Sequence, residues 1–443
     1  MSVHWNRREF LRQAAVGSAA AVVPDIYARA SLAKDQAAND KLNIGIIGVG
    51  GRGHANMMAL AGQNIVALCD IDRNRLDAAG KRFSSARKYS DFRKLLETEK
   101  SLDAVTVSTP DHCHAAASVM AMKLGKHVYC EKPLTHSIHE ARVMKETAAA
   151  NKLVTQMGTG AQSSESHIRT VEAIRAGAIG PVTEAHCWTN RPIWPQGQDR
   201  PPGEDPLPKH VDWEQWIGPA PMRPFKDKYT EGPFKGKQVY HPFVWRGWWD
   251  FGTGALGDIA PHIMNVVFWA LELGAPTAVE AECSGMKPES FPSWSIIRFY
   301  FPAKGKQPPV KLVWYDGGKK PPAELNDGKE FGSNGTLFVG SKGRMMVGGP
   351  PSPSKDFAGY EWPKPTLPRR IEIHEDWIRA IKEKDQTGCH FGYSGPMTEA
   401  YLLGNIALKV GKKIEWDAAN MKVTNVPEAN QYVQREYRKG WEL

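Results

Sequence analysis

Residues 42–53 read Leu-Asn-Ile-Gly-Ile-Ile-Gly-Val-Gly-Gly-Arg-Gly, and residues 64–70 read Asn-Ile-Val-Ala-Leu-Cys-Asp. The apolar run Leu42–Gly48 predicts a strand, because a strand buried on both faces carries continuous hydrophobicity. Gly48-Val49-Gly50-Gly51-Arg52-Gly53 then fits G-x-G-x-x-G, with a helical stretch after it and a second strand, Asn64–Asp70, beyond. In that pattern Gly48 allows a tight turn, Gly50 lets backbone approach a pyrophosphate, and Gly53 lets helix and strand pack closely. The helix N-terminus after the loop offers unpaired N–H groups and partial positive charge to phosphates. Asp70 lies 20 residues past Gly50, where a carboxylate can take both ribose hydroxyls. The combination predicts a dinucleotide site and favours NAD. Arg73 and Arg75 keep NADP as the lesser option.

Outward from this stretch the alternation continues. Ala104–Ser108, His127–Cys130 and Leu153–Met157 read as strands, with helical periods over His112–Leu124 and Ser137–Asn151. That predicts an α/β fold opening with a doubly wound parallel sheet over residues 41–160. After about Gly160 the character changes. Nine prolines fall between Arg191 and Pro224, so that stretch reads as loop. Candidate strands at Ala278–Gly285, Trp294–Phe301, Lys311–Tyr315, Thr336–Val339 and Arg344–Val347 predict an open, mostly antiparallel sheet. Helical periods return at His374–Lys384 and Met397–Gly411. Residues 161–443 therefore read as a C-terminal α/β domain.

The first 33 residues read as an address. Asn6-Arg7-Arg8-Glu9-Phe10-Leu11-Arg12 precedes a mildly apolar stretch from Ala14 to Pro24, and Ala28-Arg29-Ala30 offers a cleavage site near Ala30. A paired arginine, Phe-Leu and a weak apolar region resemble a twin-arginine export signal, which implies a periplasmic protein. The 443 residues carry a net charge of +9 spread along the chain. Lacking a Lys/Arg block, the sequence predicts no nucleic-acid partner. No later segment is apolar enough to span a bilayer, so no membrane role is expected beyond the export signal. The six cysteines form no C-x-x-C pair and are scattered, which favours buried free thiols.

Two further motifs decide a family. Ser108-Thr109-Pro110-Asp111-His112-Cys113-His114 follows the strand at Ala104, and Cys130-Glu131-Lys132-Pro133 follows the strand at His127. With the Gly-Gly-Arg-Gly loop, they resemble the glucose–fructose oxidoreductase / inositol dehydrogenase / MocA (Gfo/Idh/MocA) family from about Lys41 to the C-terminus. The resemblance implies a Rossmann domain, a C-terminal domain whose open sheet mediates a homo-oligomer (dimer or tetramer), and a nicotinamide in the cleft between them. It places Gly48, Gly50, Gly51, Arg52, Gly53, Asp70, Thr109, Pro110, His114, Glu131 and Lys132 about the cofactor. It gives Lys132 a place beside the nicotinamide and the substrate hydroxyl. An ammonium there stabilises a developing alkoxide. The export signal has a parallel in the family, whose glucose–fructose oxidoreductase is exported with its nicotinamide bound.

Gly257-Asp258-Ile259-Ala260-Pro261-His262 puts Asp258 and His262 on one helical face, with Asp258 as a cap and Pro261 in the first turn. It matches the family's Asp-x-x-x-His motif. The resemblance makes His262 the general base, with Asp258 orienting the substrate or tuning the imidazole. Ten of the 15 tryptophans lie between Trp188 and Trp314. In the run His241–Asp250, the residues Trp245, Arg246, Trp249 and Asp250 suit a sugar ring, and equally suit a core or an oligomer contact. Gln162 is a further cleft candidate. Asp111, His112, Cys113 and His114 point in different directions on a short helix and have no second cluster, so no metal is expected. The leading expectation is an oxidoreductase acting on a sugar, polyol or glycoside, with tightly bound NAD. The alternatives are an NAD-dependent glycoside hydrolase, with transient C3 oxidation and no net redox, and a non-catalytic sugar-binding protein.

Overall fold

The computed structural model describes residues 40–443. The twin-arginine reading falls outside them. In the first unit, β1 (Asn43–Ile47), β2 (Asn64–Cys69), β3 (Arg87–Tyr89), β4 (Ala104–Val107), β5 (His127–Cys130) and β6 (Thr155–Met157) form one parallel sheet in the order β3-β2-β1-β4-β5-β6. The order reverses beside β1, so the carboxyl ends of β1 and β4 open a crevice there. Helices α1 (Arg52–Ala59), α2 (Arg73–Arg82), α3 (Phe92–Thr98), α4 (His114–Lys123) and α5 (Ile138–Ala150) connect the strands. Their starts are set locally. Asp72 and Asp91 cap α2 and α3, and Ser137 with Glu140 forms a capping box on α5. Every residue of β4 is buried, as a central strand covered on both faces requires.

The second unit holds α6 (Glu165–Arg175), β7 (Val182–Trp188), α7 (Trp213–Ile217), α8 (Gly254–Ile263), α9 (Asn265–Leu271), β8 (Ala278–Cys283), β9 (Ser295–Phe301), β10 (Val310–Tyr315), β11 (Gly335–Gly340), β12 (Arg344–Met346), β13 (Pro351–Ser352), α10 (Ile373–Glu383), α11 (Phe391–Val410), β14 (Ile414–Asp417) and β15 (Lys422–Val423). Nine strands run in the order β13-β12-β11-β7-β10-β9-β8-β14-β15, and only β7 and β10 pair in parallel. Burial alternates strictly along β9. One face lies under helices, and on the other Trp188, Val313, Tyr315 and Leu337 form a smaller buried cluster with Leu325 and Phe331.

The units share helices. Arg142 of α5 donates from Nε and Nη2 to Glu399 of α11 at 2.8 and 2.6 Å. Ile373 and Trp377 of α10 join Ile44, Ile46 and Tyr129 in one core cluster. All six cysteines are free thiols, five of them buried. Among the described residues no single helix is long and apolar enough to cross a membrane.

The structure corrects the reading of the Asp258 segment. Helix α8 begins at Gly254, so Asp258 lies mid-helix and Pro261 in the last turn. Pro261 lacks an N–H to continue the ladder, and α9 departs from α8 at 48°. The proline-rich stretch is mostly irregular, except for α7, whose start Asp212 caps through the Gln215 N–H at 3.1 Å.

Candidate active site

The crevice beside β1 is a cavity of about 440 Å3. Its floor is the loop after β1. Gly48 has φ +86°, and a Cβ there would come within 2.6 Å of the Ser108 carbonyl oxygen. A Cβ on Gly53 would overlap the Gly48 carbonyl oxygen itself. The partner is backbone and cannot move aside. Gly53→Ala is therefore expected to lift α1 off β1, lower stability by about 1–3 kcal/mol and weaken NAD binding. Denaturant midpoints and NAD titration check this. Gly50 faces Arg75, whose guanidinium a Cβ would meet at 2.5 Å. Gly51 and Arg52 complete the rim.

Asp70 lines the cavity at the end of β2. Its carboxylate accepts the Val49 and Asp72 N–H groups, both at 2.9 Å. Burial raises its pKa, while those N–H groups and Arg75 oppose the rise. Each carboxylate oxygen keeps a lone pair for a ribose hydroxyl. Thr109 and Pro110 line the wall after β4. Glu131 is buried and accepts Asn56 Nδ2 at 2.9 Å and Arg52 Nε at 3.2 Å. Asn56 also receives His374 Nε2 of α10 on its own oxygen at 3.1 Å, so the second unit braces the phosphate loop.

Lys132, just past β5, meets α8. Its Nζ donates to Asp258 Oδ1 at 2.7 Å and to the Asp258 carbonyl at 2.8 Å. Arg246 Nε donates to the same Oδ1 at 3.0 Å. Burial pushes the Asp258 carboxyl up, but the two cations outweigh it and bring it to about 2. The carboxylate thus holds Lys132 and Arg246, and no hydrogen bond joins it to His262 among the described residues.

His262 lines the cavity opposite. The Thr159 hydroxyl donates its one proton to the Pro261 carbonyl at 3.1 Å and lies 3.4 Å from His262 Nδ1. The imidazole proton therefore belongs on Nδ1, and Nε2 is left as the acceptor. Burial, then the Lys132 ammonium, draws His262 down to about 4, so it is neutral at pH 7. Unfolding restores the ordinary value of 6.5. The unfolded chain then binds more protons between these values, and stability is present above 6.5 and lost as pH falls towards 4. This site alone is expected to cost roughly 3 kcal/mol over that window. Thermal midpoints should fall less steeply with acidification in His262→Gln than in the wild type.

Trp245 and Arg246 line the cleft, with the guanidinium 4.2 Å from the Trp245 ring centroid and 4.4 Å from that of Phe243. Trp249 and Asp250 do not; they line a second cavity. The chain turns at the short helix Val244–Gly247, which aims neighbours only four residues apart into different spaces. Gln162 is buried away from the lining and donates to Asn265 Oδ1 at 3.1 Å. His114 is also outside. Its two ring nitrogens face the Pro133 carbonyl at 2.7 Å and the Thr109 carbonyl at 2.9 Å, so it ties together two of the loops that carry the site.

Sequence reasoning weighed Asp111 only as a metal ligand and passed over Trp216, and both line the cleft. Asp111 is buried, accepts the Thr253 hydroxyl at 2.7 Å, and is raised by that burial to about 7. Its position directly after the strand-end Thr109-Pro110 was the available signal. For Trp216 the signal was the Asp212 cap inside the proline-rich stretch.

Residues 42–159 match the model described as an oxidoreductase family with an NAD-binding Rossmann fold, and residues 182–443 match that of an oxidoreductase family C-terminal alpha/beta domain. Inositol 2-dehydrogenase of Rubrobacter xylanophilus is 32% identical over 156 residues, 34% of this chain and 44% of that protein. A glycosyl hydrolase family 109 protein of Solibacter usitatus is 32% identical over 169 residues, 35% of this chain and 38% of that protein. The chain spans under half the length of these curated relatives. The WlbA dehydrogenase of Bordetella pertussis, solved with NADH and UDP-GlcNAcA, matches with a TM-score of 0.58 at 16% identity, over 85% of this chain and 99% of that one. At that identity the likeness is one of fold.

Proposed function

This chain belongs to the Gfo/Idh/MocA oxidoreductase family, and on that premise we propose that it is an NAD-dependent oxidoreductase acting on a CH–OH group of a sugar, polyol or glycoside. The observation that carries the reading is one cavity with Asp70 and the glycine loop in its lining together with Lys132 from one unit and His262 from the other. Bound across it, the dinucleotide supplies a nicotinamide that accepts or returns the hydride. The chain's own residues do the rest. Lys132 keeps one ammonium proton beyond its two bonds to Asp258, enough to hold the substrate oxygen and stabilise alkoxide character. His262 Nε2 takes the hydroxyl proton, which its neutrality at pH 7 permits. Trp216, Phe243 and Trp245 offer flat faces to a sugar ring. Asp70 supports NAD over NADP, with Arg75 as the residue that would meet a 2′-phosphate.

The leader Arg7–Arg12 supports export by the twin-arginine route to the periplasm. Free dinucleotide is scarce there, so the cofactor stays bound and is recycled by a second substrate or within one cycle. The family resemblance, in which the C-terminal sheet mediates oligomers, supports a homo-oligomer. A second reading, hydrolysis of a glycoside with no net redox, is favoured by the resemblance to the glycosyl hydrolase family 109 protein.

The test is to purify the full chain and assay it for retained nicotinamide. The holo protein is then mixed with a panel of sugars, polyols and aryl glycosides while nicotinamide absorbance and products are followed. Absorbance change with a carbonyl product supports the leading reading. Aglycone release without net reduction supports the second. Protein with no affinity for either dinucleotide overturns both.

A further inference from the structure

The segment 245–252 gives Trp245 and Arg246 to the cleft and Trp249, Asp250 and Gly252 to a second cavity of about 230 Å3. The start of α5, the end of α11 and residues 431–436 close it. Two cations enter its wall, and among the described residues neither forms an ion pair. Lys409 Nζ lies between the rings of Trp249 and Tyr432, 4.6 Å from each centroid. Arg435 makes one long bond, from Nη2 to the Asp250 carbonyl at 3.5 Å, and buries Nε and Nη1 without a partner. His136 gives Nε2 to the Trp249 carbonyl at 2.8 Å and buries Nδ1 without a partner. The nearby carboxylate of Asp250 is engaged by Arg223, and Glu436 is exposed.

Cations held partly out of water without a bonded carboxylate are costly, and chains that keep them usually supply a partner. Here Lys409 is given aromatic faces instead, and Arg435 adds a second positive charge behind the wall. Leu402, Ile406 and Phe291 give the wall an apolar side, and Asn405, Gln431 and Gln434 a polar one. We propose that this cavity is a binding site for a small organic anion, whose headgroup sits against Lys409 and Arg435 and whose ring or apolar body lies against Leu402 and Ile406. The site is separate from the dinucleotide cleft and does not rest on the reading of that cleft.

Benzoate is the probe, with chloride holding ionic strength constant. The full chain is saturated with NAD, so that the phosphate loop cannot serve as the anion site, and benzoate is titrated by calorimetry. The wild type should bind saturably. Lys409→Met and Arg435→Met should each bind about tenfold more weakly or worse, since each removes one of the two positive charges of the site. Crystals soaked in p-bromobenzoate should show anomalous scattering inside this cavity, on the side of Leu402 and Ile406 away from Lys409. No saturable binding by the wild type overturns the proposal, as does wild-type affinity in both variants or bromine seated elsewhere. If Arg435→Met does not fold, Lys409→Met and the soaked wild-type crystal decide the matter by the same outcomes.

Discussion

Asp258→Ala is expected to destabilise the protein by about 3–5 kcal/mol, the cost of removing one partner from a buried ion pair. The carboxylate is the shared acceptor for Lys132 and Arg246, with side-chain exposures of 10%, 16% and 20%. Removing it leaves two cations facing each other in a crevice. Equilibrium denaturation at pH 7 gives the size of the loss. Adding Lys132→Met to Asp258→Ala should recover part of it, because one of the two uncompensated charges then goes too. A variant as stable as the wild type would mean that solvent already screens the pair, and the account of Asp258 as the post on which Lys132 is mounted would fail.

Much of the first unit was legible because its signals are local. The mostly apolar runs of β1, β4 and β5 mark strands buried on both faces, and Gly48 and Gly53 are required by backbone overlap that any side chain would create. The second sheet was harder. Strand β7 lies near its middle, yet Val-Thr-Glu-Ala-His-Cys-Trp mixes polar and apolar residues. Glu184 and His186 are tolerated there because Lys311 of β10 pairs with Glu184 and Tyr315 lies 3.2 Å from His186. A strand stabilised by cross-strand partners distant in sequence has no local signature.

The site divides in the same way. Motif residues beside strand ends, Asp70 and Lys132, could be placed from sequence because the end of a parallel strand fixes where they point. Residues on the irregular stretch 241–252 could not. Alternation of aromatic and charged residues there says nothing about which of two cavities each one enters, and the short helix at Val244–Gly247 decides it. The start of α8 was misread because Asp258 is a good cap by type, whereas Gly254, with φ +68°, already opens the helix four residues earlier.

Lys132→Ala and His262→Ala are each expected to lower kcat by about 10²–10⁴-fold, the usual range for a positioned acid–base group, while NAD affinity stays within a few-fold. The two losses should differ in kind. Without Lys132, Asp258 keeps Arg246, so the fold survives but the substrate oxygen loses its charged donor and KM rises with the fall in kcat. Without His262, substrate binding persists and proton removal fails. Imidazole in the buffer should restore part of the His262→Ala rate and none of the Lys132→Ala rate, because only the first lacks a base. The wild-type rate should hold from pH 7 down towards 5, since His262 titrates near 4 instead of at its ordinary 6.5. A rate that halves near 6.5 would mean that the base is a solvent-exposed group, and one that survives His262→Ala would remove the imidazole from the chemistry altogether.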